Sequence, residues 1–178
     1  MNALLESLTK SLTEQGWKVE MQEKDQIPAE IAQRYDSLPT DYIYFLRNMK
    51  ACVNSAETVW MLCPDDFAPQ GENGFDWNEF EKMSLAAAEG DNSWTAEIKS
   101  FWNEHLPICL SLKDGYSYYA LCLKDGTIVT GEEPEFEETT EVAPSFRDFL
   151  QMLCNGELDL EWNKEHSHDI HRLSEQGT

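Results

Sequence analysis

Histidines near the end of the sequence are the residues whose types and spacing come closest to a metal site. The segment His166-Ser-His-Asp-Ile-His171 contains three imidazoles and one carboxylate, and helical geometry would place His168 and His171 on one side. Metal ligands also need neighbouring groups that fix their orientation, and the segment lies in a polar tail. We therefore expect no functional metal site and no cofactor, and keep His166, His168 and His171 as weak metal candidates.

Other catalytic motifs are missing from the sequence. Gly71-Glu-Asn-Gly74 lacks the lysine and the hydroxyl residue of a phosphate-binding loop, and no Gly-x-Ser-x-Gly nucleophile motif occurs. Adjacent carboxylates such as Asp65-Asp66 and Glu132-Glu133 are expected from composition alone in a chain with 34 acidic residues. We expect no enzymatic activity.

The cysteines are typical of a reduced protein. They are odd in number, widely spaced and mostly set in apolar runs, and no Cys-x-x-Cys pair occurs; the five are Cys52, Cys63, Cys109, Cys122 and Cys154. A catalytic cysteine is the alternative, although nothing local indicates a thiol of low pKa.

No apolar run reaches the roughly 18 residues of a membrane span, and the N-terminus lacks a secretory signal pattern. These features predict a cytoplasmic protein.

The net charge excludes two classes of partner. The 178 residues include 34 acidic and 13 basic ones, for a formal net charge of -21, so nucleic acids and anionic membranes would be repelled. Residues 51–178 contain almost all of this charge, and the density peaks in residues 131–141, where six carboxylates occur without a base. Such a run is typical of a solvated loop or edge.

Hydrophobic spacing in the first half of the chain predicts mainly helices. The length fits one domain, and the 41% of hydrophobic residues can supply its core. The predicted elements are a helix from Ala3 to Gln15, a second from Pro28, a third from Pro39 that includes Met49, a strand over Thr58–Leu62 and a loop over residues 64–74.

In the second half, Asp-Gly turns predict a meander. Asp114-Gly115 and Asp125-Gly126 separate three strand patterns. Amphipathic helices precede them, and a Ser145-x-x-Asp148 cap begins a closing helix. The predicted fold class is α+β: residues 1–156 form one domain, with helices packed around a mixed, mostly antiparallel sheet. Residues 157–178 form an acidic, partly ordered C-terminal tail.

Four segments together resemble the SUKH superfamily. Leu38-Pro-Thr-Asp-Tyr-Ile-Tyr-Phe-Leu46 is similar to its first signature. Leu106–Ile108, Tyr116–Leu123 and the closing segment Ala143–Leu150 follow in the order found in that superfamily, so the resemblance covers roughly residues 25–155. The chain departs from it at Asn48–Cys52, where an Asn-Gly-Gly turn is common, and in a longer helical insertion between Trp77 and His105.

The resemblance implies a function as well as a fold. The superfamily includes bacterial immunity proteins, whose partner is a toxin and often a nuclease, and fungal regulators of cell-wall assembly. Membership implies an α+β sheet with surrounding helices, no catalysis, no cofactor and a surface that binds another protein.

These observations together predict a monomeric cytoplasmic immunity protein that occludes a basic protein toxin, such as a nuclease, and binds neither nucleic acid nor membrane. The candidate partner-binding residues are Glu132, Glu133, Glu135, Glu137, Glu138, Asp65, Asp66, Glu72 and Asp76. Two alternatives stay open: the glutamates serve only solubility, or the protein is a regulatory or scaffold module unrelated to toxins.

The aromatic residues have core spacing, and core packing is their default interpretation; those considered are Trp60, Trp77, Trp94, Trp102 and Tyr118. Any of them left exposed beside the acidic run would be a candidate interface anchor, since tryptophan and tyrosine are enriched at binding hot spots.

Overall fold

The strands of the protein follow one another across a single antiparallel sheet. We describe residues 1–24 and 26–161 from a computed structural model. Within these residues the elements are α1 (Asn2–Glu14), β1 (Lys18–Met21), α2 (Ala29–Arg34), α3 (Thr40–Asn48), β2 (Met49–Val53), β3 (Val59–Met61), a 3₁₀ helix (Pro64–Phe67), α4 (Glu79–Ala87), α5 (Asn92–Glu104), β4 (His105–Ser111), β5 (Ser117–Cys122), β6 (Ile128–Glu132), β7 (Thr140–Ala143) and α6 (Phe146–Cys154). The spatial order of the strands is β1 to β7, so the predicted α+β class is confirmed.

Helices cover both faces of this sheet, as adjacent residues of β5 illustrate. Tyr118 and Tyr119 are both buried and point to opposite faces, because side chains alternate along a strand. The ring of Tyr118 contacts Trp102 of α5 at a centroid distance of 5.1 Å. The ring of Tyr119 meets Phe149 of α6 at 5.0 Å. The sheet is therefore the middle layer of three.

The layer on the α6 side joins the first and last parts of the superfamily resemblance. Phe146 of α6 packs edge-on against Tyr42 and Phe45 of α3, with centroids 5.1 and 5.5 Å apart. At the surface, Arg147 donates two hydrogen bonds of 3.0 Å to the carboxylate of Asp41. These two segments, which are distant in sequence, thus form one packing unit. Both are parts of the superfamily resemblance.

Several local predictions are confirmed. Ser145 Oγ accepts a hydrogen bond of 3.1 Å from the Asp148 N–H, so α6 begins at the predicted cap. Gly115 and Gly126 have positive φ angles of 116° and 81°, as the turns between the meander strands require. All five cysteines are free thiols, and all except Cys154 are buried.

Other predictions are wrong in detail. Met49 does not continue the third helix but begins β2, where it pairs with Met21 across the sheet. The sequence does not predict strands β1, β2 and β7, since none of them is a run of β-branched and aromatic residues like Thr58–Leu62 and none adjoins an Asp-Gly turn. The acidic run is the connection between β6 and the edge strand β7 together with the start of β7, as predicted for a loop or edge, but Phe136 within it is buried.

A partly buried ion pair connects the early helices to the α4–α5 layer. Arg34 of α2 donates hydrogen bonds of 2.7 and 2.8 Å to the two carboxylate oxygens of Glu81 in α4. The side chains are 21% and 10% exposed. The guanidinium also lies 5.4 Å from the Tyr35 ring centroid and 5.7 Å from that of Trp77. Such bidentate geometry makes the pair strong in a site with little water.

Replacing Glu81 alone should destabilise the fold. The substitution Glu81→Leu leaves Arg34 without its partner, and we expect a loss of about 3 kcal/mol in the free energy of unfolding, because a buried charge without its partner is costly. The double variant Arg34→Met/Glu81→Leu should lose markedly less. Urea denaturation measures both, with Asp65→Asn, which removes an exposed ion pair with Lys24, as the near-neutral control. Equal losses in the single and double variants would contradict this role.

Candidate protein-binding site

The acidic hairpin turn, residues 132–138, is held to the core from beneath. Phe136 is 4% exposed and stacks on Phe80 of α4, with ring centroids 4.6 Å apart. The Tyr118 hydroxyl donates a hydrogen bond to the Phe136 carbonyl oxygen. A β carbon at Gly131 would lie 2.6 Å from the Tyr118 hydroxyl oxygen and 2.8 Å from that carbonyl oxygen. Only glycine allows this close approach at residue 131.

Two glutamates of the turn support its structure. Trp102 Nε1 donates a hydrogen bond of 2.7 Å to Glu137 Oε1, which gives the buried indole its acceptor. The Tyr116 N–H donates to Glu133 Oε1 at 3.2 Å. Reading the sequence as one uniform acidic surface missed this division of roles.

The remaining glutamates of the turn are exposed and unpaired. Within the described residues, the side chains of Glu132, Glu135 and Glu138 make no hydrogen bond or ion pair and point toward solvent. Their charges are therefore free for a partner, and the turn beneath them fixes where they lie.

The second group of candidate acids has mainly local roles. Asp65 pairs with Lys24 at 3.2 Å. Asp66 accepts a hydrogen bond of 2.7 Å from the Cys63 N–H, which closes the 3₁₀ helix, and Asp76 accepts one of 2.9 Å from the Gln70 N–H and also pairs with Lys82. Glu72 is exposed.

The structure does not bring the two acidic groups into one groove. Asp66 lines a groove of about 580 Å³ that also contains Lys50, Trp60 and Phe75, and none of the turn's glutamates reaches it. The connection between the two groups is indirect: Phe75 contacts the ring of Tyr116 at 5.9 Å, and the backbone of Tyr116 binds Glu133.

A separate groove lies between the acidic hairpin turn and the α4–α5 layer. It measures about 470 Å³ and is lined by Met83, Ser84 and Ala87 of α4, by Trp94 of α5 and by residues 133–138. Trp94 is 43% exposed, so it meets the condition set for an interface anchor, an exposed aromatic residue beside the acidic run. The sequence did not identify Met83 or Ala87 as site residues. The one signal for Ala87 is its place in the run of small residues Ala86–Ala88.

Metal and thiol chemistry each require particular groups in a particular geometry. Within residues 1–24 and 26–161, no group of three or more histidine, cysteine, aspartate or glutamate side chains is arranged to hold a metal ion. Burial raises the pKa of the Cys52 thiol to about 12, so this thiol is a poor nucleophile at neutral pH. The metal candidates His166, His168 and His171 lie outside the described residues. Among the described helices, none has the length and apolarity needed to cross a membrane.

The sequence matches the family model described as SMI1 / KNR4 family (SUKH-1) over residues 24–152. The chain belongs to the SUKH-1 family. SUKH-1 proteins generally act by binding other proteins and are not enzymes. The match begins before α2 and ends within α6, so it contains the acidic hairpin turn and both walls of the groove. No curated protein and no solved structure gives a significant match.

In this SUKH-1 protein, Glu137 should affect stability where its unpaired neighbours do not. Glu137→Leu leaves the Trp102 N–H without an acceptor, and we expect a loss of about 1–3 kcal/mol in the free energy of unfolding. Glu137→Gln retains an oxygen acceptor and should recover most of this loss. Urea denaturation, with Glu135→Leu as the matched control, measures the difference; a control as damaging as Glu137→Leu would assign the effect to charge alone.

Asp66 should make the stability of the protein depend on pH. Burial raises its pKa above the ordinary 3.8, although the Cys63 N–H opposes this. As the pH rises, the Asp66 carboxyl therefore loses its proton at a lower pH in the unfolded chain than in the folded protein. The stabilisation that comes from its raised pKa is fully present below the ordinary value of 3.8. It is lost as the pH rises through the pKa of the folded protein.

Relative to the unchanged protein, Asp66→Asn should accordingly gain stability as the pH rises. Free energies of unfolding in urea, measured from acid pH to neutrality, test this, and Asp65→Asn controls for the loss of one charge in the same segment. A difference between Asp66→Asn and the unchanged protein that stays constant with pH would contradict the assignment.

Proposed function

We propose that this SUKH-1 protein is a cytoplasmic immunity protein that binds a cognate basic protein toxin, such as a nuclease, and occludes its substrate-binding surface. The observation that carries the proposal is the set of unpaired glutamates at Glu132, Glu135 and Glu138, displayed on a rigid turn beside exposed Trp94. A toxin that binds nucleic acid has clustered lysines and arginines for phosphate groups. The turn offers those residues carboxylates in place of phosphates.

Electrostatic complementarity supports the capture step in particular. Complementary fields raise association rates to about 10⁸–10⁹ M⁻¹s⁻¹ at low salt, which suits a protein that must intercept a toxin soon after synthesis. The formal net charge of -21 adds a long-range attraction that salt screens. An exposed aromatic side chain beside the charges supplies the apolar contact that slows dissociation.

Co-expression with the product of the adjacent gene tests the proposal directly. We expect the two proteins to co-purify and the SUKH-1 protein to restore growth of cells that make the neighbouring toxin. Absence of both association and protection would reject the immunity function for that pair. A neighbour that is a host enzyme and not a toxin would favour the regulatory or scaffold alternative.

Charge reversal in the turn should slow association with the toxin. The double variant Glu135→Lys/Glu138→Lys should reduce the association rate constant by about tenfold at low salt and make it less dependent on salt, because it reverses charges that attract the partner. Stopped-flow or surface binding kinetics measure both effects. Glu14→Lys/Glu23→Lys changes the net charge equally and is the control, because these exposed residues flank β1 in sequence, the strand at the other end of the sheet from β7. Equal slowing in the two variants would assign the effect to net charge and not to the turn.

A further inference from the structure

Trp94 is exposed although the two other apolar residues on its helix that face the core, Ile98 and Trp102, are buried. Trp102 on the same helix is 1% exposed and Ile98 is also 1% exposed, whereas Trp94 is 43% exposed. Only one other large hydrophobic side chain in the described residues is classed as exposed, Met21 on β1. The exposed indole contributes little to the core, and it forms one wall of the groove beside the acidic hairpin turn.

The backbone that presents Trp94 is fixed. The Trp94 N–H donates a hydrogen bond of 3.0 Å to the carboxylate of Asp91, the N-cap of α5. The opposite wall of the groove is the acidic hairpin turn, which Phe136 and Tyr118 hold in place. Both walls are therefore preorganised, which lowers the entropic cost of binding.

The charges around the groove favour a cation. Four glutamates line it, namely Glu133, Glu135, Glu137 and Glu138, and no lysine or arginine of the described residues does. The larger groove on the molecule differs in this respect, because Lys50 lines it and pairs with Glu20 at 2.9 Å. A cation in the smaller groove meets uncompensated negative charge.

Arginine fits the combination of one aromatic wall and one carboxylate wall better than lysine does. Its planar guanidinium stacks on an indole face while its N–H fork donates to carboxylates in two directions. Lysine provides a point charge that is more strongly hydrated and stacks less well. Met83 and Ala87, which form the side of the groove on α4, provide apolar surface for a residue next to the arginine.

The size of the groove indicates a short segment of protein. Sites for drug-sized ligands measure about 300–1,000 Å³, and this groove measures about 470 Å³. That space holds more than one side chain and much less than a folded element.

We propose that the groove between Trp94 and the acidic hairpin turn binds an arginine-bearing segment of the partner protein, with the guanidinium between the indole and the carboxylates of Glu135 and Glu138. An apolar neighbour of that arginine packs on Met83 and Ala87. This rests on the proposed function for the nature of the partner, and it specifies which contact holds the complex together after capture.

A peptide titration tests the groove without the toxin. The probe is acetyl-Gly-Arg-Leu-Gly-amide. The readouts are the NMR signal of the Trp94 indole N–H, in the proteins that contain it, and the backbone amide signals of residues 135–138, which line the groove in every variant. We expect saturable shifts at Trp94, at least threefold weaker binding of the peptide with lysine in place of arginine, and about tenfold weaker binding to Trp94→Ala. Trp94→Phe, which keeps an aromatic face, should retain part of the affinity.

Met21→Ala is the matched control, since it removes the other exposed hydrophobic side chain at the far edge of the sheet, and it should bind the peptide normally. Any of three results would overturn the inference: no shift at Trp94 up to millimolar peptide, equal affinity for the two peptides, or equal affinity in Trp94→Ala.

Kinetics with the toxin separate the two proposals. Trp94→Ala should raise the dissociation rate constant about tenfold and leave the association rate constant within twofold. Glu135→Lys/Glu138→Lys should change both rate constants, because these carboxylates attract the partner and also hold the guanidinium. A toxin complex indifferent to Trp94→Ala would reject the groove and leave the immunity function standing. A saturable peptide site with no toxin partner would reject the immunity function and leave the groove.

Discussion

Two hydrogen bonds from buried aromatic side chains hold a strongly charged turn on the sheet, and the proposed binding surface depends on them. Tyr118 donates to the backbone of the acidic hairpin turn and Trp102 donates to one of its glutamates. Carboxylates this close in sequence repel one another, so an unsupported segment would spread apart in solvent. The apolar underside of the turn, centred on Phe136 and Phe80, offsets that repulsion. The charges on its outer side consequently have fixed positions.

Local sequence signals predicted those parts of the fold that local interactions determine. Helix α6 combines an N-cap with a regular apolar face, and the meander contains Asp-Gly turns, so both were visible without the structure. Strands β1, β2 and β7 were not, because short strands acquire their stability from pairing with neighbours that the sequence does not identify. Met49 shows the limit: its spacing continues that of α3, but pairing with β1 makes it a strand residue.

The candidate site could be predicted only in part for a related reason. The acidic run identifies the region, but which carboxylates are free depends on tertiary contacts that give Glu137 to Trp102. Trp94 and Trp102 both have core spacing on α5. With 3.6 residues per turn and a rise of about 1.5 Å per residue, however, Trp94 is rotated by about 80° from Trp102 and lies about 12 Å away along the axis. That displacement carries it past the aromatic cluster into the groove wall.

The order of the strands bears on how the protein is made in the cell. Each strand pairs with the strand before it in the chain, so every strand after the first meets a partner that has already been synthesised, and the sheet can grow as the polypeptide leaves the ribosome. Strands β6 and β7 are the last strands to be synthesised, and α6, which packs against α1, follows them. A chain that stops before β6 would lack the acidic hairpin turn and also the part of the core that α6 supplies through Phe146 and Phe149. The glutamates of the turn are therefore displayed only on a chain that can complete its fold.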